Sequence, residues 1–471
     1  MRHVQLKTLL LTKVPLWIVL LLGLFWFGGT VLLAGAVRHY YMANKPLDMN
    51  GKIIESIATF PETINALLHG TYRSNESPSA KHLVIAKTQR FAGQSGFQFN
   101  YTKGKRPDLG YILLNRYDGN KLYSVSELWD LNTQEKVHTW HYADVDAIWK
   151  NSNLKTAHLN LAVDNEAEKF RGIHALLTEN GDIFTHTNDS PIIKADAQSK
   201  LKLLQDEAIY HHSMETNHDG NIWVPKRIEP KTVDIGGPRF RDDGIALISP
   251  DGKVLFEKSV IQLLDENGLG YLIYGKGKGN EDPVHLNDIQ PALNDGNFWK
   301  KGDIFLSLRN QSMIVLYRPS NNKVLWYKQG PWMHQHDVDI LNNYQISVFN
   351  NNAALAEKNR WAVRGTNNVL VYDFITDSIH SPWQSAFEKL KLRTEIQGRD
   401  EIVGRELFVE ETEYGRLVQF SPDGTVSWQF VNRANDGHIY LLNWSRLINR
   451  EVGDHLRYKL QRSDSPDADR S

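Results

Sequence analysis

Along the chain, the spacing of apolar and polar residues changes character several times. After a mixed start over residues 1–13, Val14 to Val37 forms a continuous uncharged, mostly apolar run. At helical rise such a run is long enough to cross a hydrocarbon core of ~30 Å. Trp17, Trp26 and Phe27 lie within it, and Arg38, His39, Tyr40 and Tyr41 give it an interfacial end. Gly51 to Gly70 places apolar residues near helical spacing, with an interruption at Pro61. The stretch up to about Pro107 is polar and Gly/Ser-rich, as in a linker or an irregular cap. From Gly110 the pattern turns into short apolar runs broken by turns, and YILLNRYDGNKLYSVSELWDL reads as strand, Asp-Gly turn, strand. The expected organisation is a tail (1–13), an apolar anchor (14–37), a helical or irregular linker or cap (38–109), a β body (110–455) and a C-terminal tail (456–471), disordered from about Ser463.

The β body repeats itself. A strand, a polar turn with a basic residue and a second, often aromatic strand recur in DLNTQEKVHTW, IIKADAQSKLKLL, ISPDGKVLFE, YRPSNNKVLWY and FSPDGTVSWQF. A second unit opens on a histidine and continues as strand, turn, strand from His174, His212, His285 and His336. Together they give four antiparallel strands per period, the content of one β-propeller blade. The fold class expected is therefore all-β, a six-bladed β-propeller preceded by an N-terminal transmembrane helix. A propeller also accounts for the repeated histidine, because the innermost strand of each blade starts near the axis and equivalent residues converge there.

Composition narrows the chemistry. There are 54 basic and 55 acidic residues, so no global field points to nucleic acid. The chain has no cysteine, which excludes disulfides, thiolate catalysis and Cys-based zinc sites. Arg2, Lys7 and Lys13 precede the apolar run, while only Arg38 and Lys45 follow closely, a bias that puts the N-terminus in the cytoplasm and the body across the membrane. A cleaved signal peptide is the rival reading, since Ala34-Gly35-Ala36 resembles a cleavage site.

Taken singly, a histidine in such a strand is most often a turn or core residue. The shared register of His212, His285 and His336 changes that, and Arg309 falls between the last two in sequence. Three imidazoles and a guanidinium at one channel mouth make a cavity for an anion. An imidazole there can act as a nucleophile towards phosphorus or sulfur while cationic donors hold the equatorial oxygens. Three histidines can also bind Zn²⁺ or Cu²⁺, but a metal cation beside an unpaired arginine is electrostatically unfavourable. The acids that follow each histidine by three positions, Glu215, Asp288 and Asp339, point to the opposite strand face and read as bonds to a neighbouring strand. GKGKGN (275–280) lacks the P-loop pattern, so no nucleotide or other cofactor is expected.

HHSMETNHDGNIWVP, VHLNDIQPALNDG, GDIFLSLRNQSMIVL and WMHQHDVDILNNYQISVFNNN together resemble the bacterial arylsulfotransferases that use no nucleotide sulfonate donor. The similarity runs from about residue 110 to 450. It implies a six-bladed propeller and ping-pong transfer of a sulfuryl group from an aryl sulfate donor to a phenolic or other hydroxyl acceptor. It also implies a transient sulfohistidine at His336, sulfate-binding histidines at His212 and His285, and a sulfate-binding arginine at Arg309. The His211-His212 doublet leaves either residue open, and the repeat register favours His212. Unlike the well-known soluble periplasmic members, this chain has no cysteine for a disulfide and no clear match to their N-terminal β-domain. The expected setting is the bacterial inner membrane, single-pass, with the catalytic domain in the periplasm. A second copy of the chain is the candidate protein partner. The competing readings are a non-catalytic envelope scaffold and a quinone- or metal-dependent propeller oxidoreductase.

Overall fold

The computed structural model describes residues 14–42, 84–145 apart from 87 and 143, 152, 154, 167–233, 240–275, 281–356 and 360–463. The chain divides into two compact units, residues 1–74 with 235–240, and residues 75–234 with 241–471. The described secondary structure of the first unit is one helix, Leu16–Met42. Its segment Leu16–Ala36 is long and apolar enough to cross a membrane, and none of that window is buried. Apolar residues occupy every side of it, as suits a helix surrounded by lipid rather than lying half in water. The helical pattern expected over Gly51 to Gly70 falls outside the described residues.

The second unit is an all-β, propeller-like set of antiparallel sheets. Two are four-stranded with strands in chain order, Leu286–Pro291, Ile304–Leu308, Met313–Arg318 and Lys323–Gln329, then His336–Ile340, Gln345–Asn350, Asn368–Asp373 and Ser378–His380, the second interrupted by a separate hairpin after Asn350. In the first of these the burial falls from the wholly buried strand Ile304–Leu308 to the alternating outer strand Lys323–Gln329. A third joins Tyr111–Asp118, Tyr123–Asp130 and Glu135–His141 to Arg446–Ile448, so the two ends of the β body meet in one sheet. The fourth is five-stranded, Arg399–Val403 through Val426–Val431 with Gly96–Phe99 on its outer edge.

The expectation of six separate blades is corrected by the remaining strands. Among the described residues four sheets have the size of a single blade, and the strands between Ile173 and Ser259 form one continuous eight-stranded sheet instead of two. Leu201–Tyr210 is long enough for Tyr210 to pair with Lys226, while the strand that would cover that position, Glu215–Thr216, is only two residues long.

Two boundaries also shift. Gly96–Phe99, in the stretch expected to be linker or cap, is a strand, and its Phe97 ring packs on Trp129, Trp428 and Phe430. Residues 450–463, expected to be divided at 455 between body and tail, form one helix, Arg450–Ser463. Its Leu456 and Leu460, one turn apart, are buried against Tyr111, Leu128, Trp140 and Ile183. Leu460→Ala should therefore lower the unfolding free energy by about 2–5 kcal/mol. Urea denaturation of the wild type and variant measures it, and an unchanged midpoint would show that the helix does not contribute to the core.

Contacts between sheets fix the inner strands. Asp288 Oδ2 accepts from Val338 N (2.9 Å), Glu401 Oε2 from Leu447 N (3.2 Å) and Asp243 Oδ2 from Leu286 N (2.8 Å). Side-chain acceptors of one sheet thus satisfy backbone donors of the next, which would otherwise be buried without partners. Asp288 therefore bonds a neighbouring strand, as expected of the acids three positions after the histidines. Glu215 instead pairs with Arg446 (2.8 Å).

Candidate functional site

The repeated histidines sit where the backbone turns into the inner strands. His174, His212 and His285 have left-handed backbones, with φ of 46°, 60° and 52°. Side chains other than Gly seldom adopt that region, and His is among those several-fold enriched there. The equivalent positions in two other sheets are Gly398 (φ 104°) and Trp444 (φ 63°). His336 departs from the pattern, because in its sheet the left-handed residue is the next one, Asp337 (φ 51°).

The four expected site residues lie together. The rings of His212 and His285 are 5.0 Å apart and nearly perpendicular. The Arg309 backbone N–H donates to the carbonyl of His285 (3.1 Å), which ties the arginine to that histidine. Repulsion from Arg309 and His285 contributes to the depressed pKa of His336, and His336 in turn acts on His212. Of the doublet, His212 faces His285, while His211 lies behind it with the two Nδ1 atoms 2.8 Å apart.

His336 is held by both ring nitrogens. Asn351 directs its amide Nδ2 to the carbonyls of Thr394 (3.1 Å) and Gln397 (2.6 Å), so its oxygen is left to accept from His336 Nδ1–H (2.8 Å). Nε2 accepts the backbone N–H of Gln397 (3.1 Å). The two contacts define one tautomer, with the proton on Nδ1 and the lone pair on Nε2. Burial first, then the nearby Arg309 cation, push the His336 pKa well below 6.5. His212 is lowered in the same way by burial and its histidine neighbours.

Asp282 gives His285 a different environment. Its Oδ2 lies 2.6 Å from His285 Nδ1, so the imidazole proton points at the carboxylate and Nε2 is the free nitrogen. Burial outweighs the carboxylate and still lowers the His285 pKa. Arg309 is 6% exposed and opens the 3-10 turn Arg309–Gln311 after strand Ile304–Leu308. Desolvation pushes its pKa down to about 10, and among the described residues no carboxylate is in ion-pair distance of it. Asp282 and Glu413 attract the cation from beyond ion-pair distance, and a buried cation with no contacting counter-charge is a costly arrangement that an anionic ligand relieves.

The loop that carries the Gln397 N–H is fixed from below. Asp400 N donates to Asp337 Oδ2 (2.9 Å), and Arg399 lies between Asp337 and Glu401, 3.6 Å from each. Burial raises Asp400 to about 7 and Asp337 and Asp339 well above the ordinary carboxylate range. Gly398 cannot carry a Cβ, which would collide with the Phe349 ring. Among the described residues no three of His, Asp and Glu are placed to hold a metal ion. Sequence reasoning missed Asn351, Gln397, Asp282 and Trp361, whose ring lies 4.6 Å from the Arg309 guanidinium carbon.

Because these imidazoles are neutral throughout the neutral range, a reaction that uses their lone pairs should not weaken as pH falls through 6.5. The rate of such a reaction is expected to be flat from about pH 8 to 6.5 and to fall only well below it. A decline centred on 6.5 in stopped-flow measurements would contradict this.

No curated protein matches the chain. Among solved structures, a protein of unknown function from Bacteroides caccae is similar at 14% identity and a TM-score of 0.44, covering 71% of this chain and 98% of that one. A virginiamycin B lyase from Staphylococcus aureus is similar at 11% identity and a TM-score of 0.34, over 72% of this chain and 90% of its own. A family model described as arylsulfotransferase (ASST) matches residues 172–433, more than half of the chain and the whole span from His174 to Arg433 that holds the site. The chain belongs to the arylsulfotransferase (ASST) family.

Proposed function

We propose that this protein transfers a sulfuryl group from an aryl sulfate to a phenolic or other hydroxyl acceptor, with His336 Nε2 as the group carrier. The observation that carries this reading is the fixed tautomer of His336, whose Nδ1–H is committed to Asn351 and whose Nε2 keeps its lone pair. In the first half-reaction Nε2 exchanges the weak Gln397 N–H contact for sulfur. The N–S bond forms, the S–O bond to the aryl group breaks, and the phenolate leaves with that electron pair. The ring then carries a positive charge, which the Asn351 oxygen stabilises at Nδ1–H. Arg309 and His212 stand against the equatorial oxygens, with the His285 ring packed on His212. In the second half-reaction the acceptor oxygen attacks sulfur and the N–S electrons return to Nε2. His285, with its proton on the Asp282 side, supplies the base that takes the acceptor hydroxyl proton.

The apolar helix Leu16–Ala36 supports an anchored setting, and the basic residues before it favour a periplasmic catalytic unit at the bacterial inner membrane. Protease treatment of spheroplasts should then digest the catalytic unit, and its protection would reverse the orientation. Steady-state assays with a chromogenic aryl sulfate test the activity. Phenol-dependent release of the chromophore with parallel-line kinetics is expected, and no release with any aryl sulfate would refute the proposal.

A further inference from the structure

Arg309 raises a question that the reaction scheme does not answer: what holds a buried guanidinium in place before an anion arrives? Among the described residues its one side-chain hydrogen bond is Nη1–H to Asn310 Oδ1 (3.1 Å), and Nε is buried without a partner. A carboxylate would hold it, but would also cancel the charge an anionic substrate needs. The neighbour found instead is Trp361, its ring centroid 4.6 Å from the guanidinium carbon. An aromatic face attracts a cation without neutralising it.

Trp361 comes from an element outside the blade pattern. Strands Gln345–Asn350 and Asn368–Asp373 pair directly at Asn350 and Asn368, a geometry that a turn of about 2–5 residues could close. The chain instead inserts a separate hairpin, Ala353–Ala356 with Arg360–Val363. Its base is bound into the site. His334 Nδ1 lies 2.9 Å from the Ala353 carbonyl oxygen, and the His334 ring packs on Trp361 at 4.2 Å. Asn367 Nδ2 donates to the carbonyl of Asn351 (2.7 Å), the residue whose side chain fixes His336. One insert therefore roots at the partner of His336 and ends against Arg309.

We infer that Trp361 is a positioning residue that holds the Arg309 guanidinium by one face, so that the arginine meets an anion with its N–H edge. The inference rests on the proposed anion site at Arg309, and names what orients that site. A guanidinium donates only in its own plane, so holding it against the ring fixes the direction from which the sulfuryl oxygens are bound. Lysine at position 309 would lose both the planar fork and the stacking surface.

The experiment is binding of inorganic sulfate to the full-length protein by calorimetry, with donor kcat and KM measured alongside. Trp361→Ala and Trp361→Leu should each weaken sulfate binding about tenfold, and Trp361→Phe should restore most of the affinity. Arg309→Ala combined with Trp361→Ala should bind no more weakly than Arg309→Ala alone, because the ring acts through the arginine. Trp361→Leu fills similar space, so equal losses in the leucine and alanine variants separate loss of the ring from a packing defect. Additive losses in the double variant overturn the inference, as does unchanged sulfate binding in both ring-free variants or no sulfate binding by the wild type. If the wild type binds sulfate with this coupling but cleaves no aryl sulfate, the transfer reaction is wrong and the positioning role stands.

Discussion

Replacing His336 by asparagine is expected to lower sulfuryl transfer by at least about 10⁴-fold, the scale on which removing a nucleophile acts. The asparagine amide N–H can take the place of His336 Nδ1–H towards Asn351, while the Gln397 N–H is left to water. What it lacks is a nitrogen lone pair that can bond sulfur and release it again. His336 is 4% exposed and sits at the start of a short inner strand, so the variant should keep its fold as well as lose its chemistry. Thermal melting and aryl sulfate turnover separate the two. Residual activity within about tenfold of the wild type would remove His336 from the mechanism.

Arg309→Ala should have the next largest effect, about 10²–10³-fold in kcat/KM for the donor, typical of losing one charged donor from a preorganised site. The structure makes this loss sharper than for a rim arginine. Arg309 is buried, has no carboxylate within ion-pair distance among the described residues, and lies near His336, whose pKa it helps to depress. Removing it should therefore also raise the apparent pKa of His336, so the pH below which donor cleavage falls should move upward. A variant with unchanged kcat/KM, or with its acid limb shifted downward, would contradict that account.

Much of this site was readable because the fold repeats. His212 and His285 share one register position and His336 stands one residue before its counterpart Asp337, and the fold brings these starts of inner strands together, so periodicity in the sequence translated into proximity. Arg309 followed from lying between two of them. The partners that tune these groups follow no period. Asn351 and Gln397 reach His336 from elsewhere in the chain, and Gln397 does so with a backbone N–H that no side-chain pattern announces. Asp282 stands three residues before His285, a local spacing outside the repeated units. Trp361 lies on an inserted hairpin with no counterpart in the repeat.

The fold shows the same division. Strands, turns and the apolar helix were legible from local spacing. Pairing over long separations was not, as with Gly96–Phe99 on the edge strand Val426–Val431, or Tyr210 on Lys226. The helix Arg450–Ser463 was hidden by its charge, since its buried stripe rests on Leu456 and Leu460 amid polar residues.

The central claim is that sulfur is carried on His336 Nε2. Brief exposure of the full-length protein to aryl sulfate without acceptor, followed by digestion under alkaline conditions and mass spectrometry, addresses it directly. A sulfuryl adduct on the peptide containing His336, removed by adding phenol and missing from His336→Asn, is the expected result. Sulfated phenol formed with no such adduct, or an adduct on another residue that phenol discharges, would contradict it.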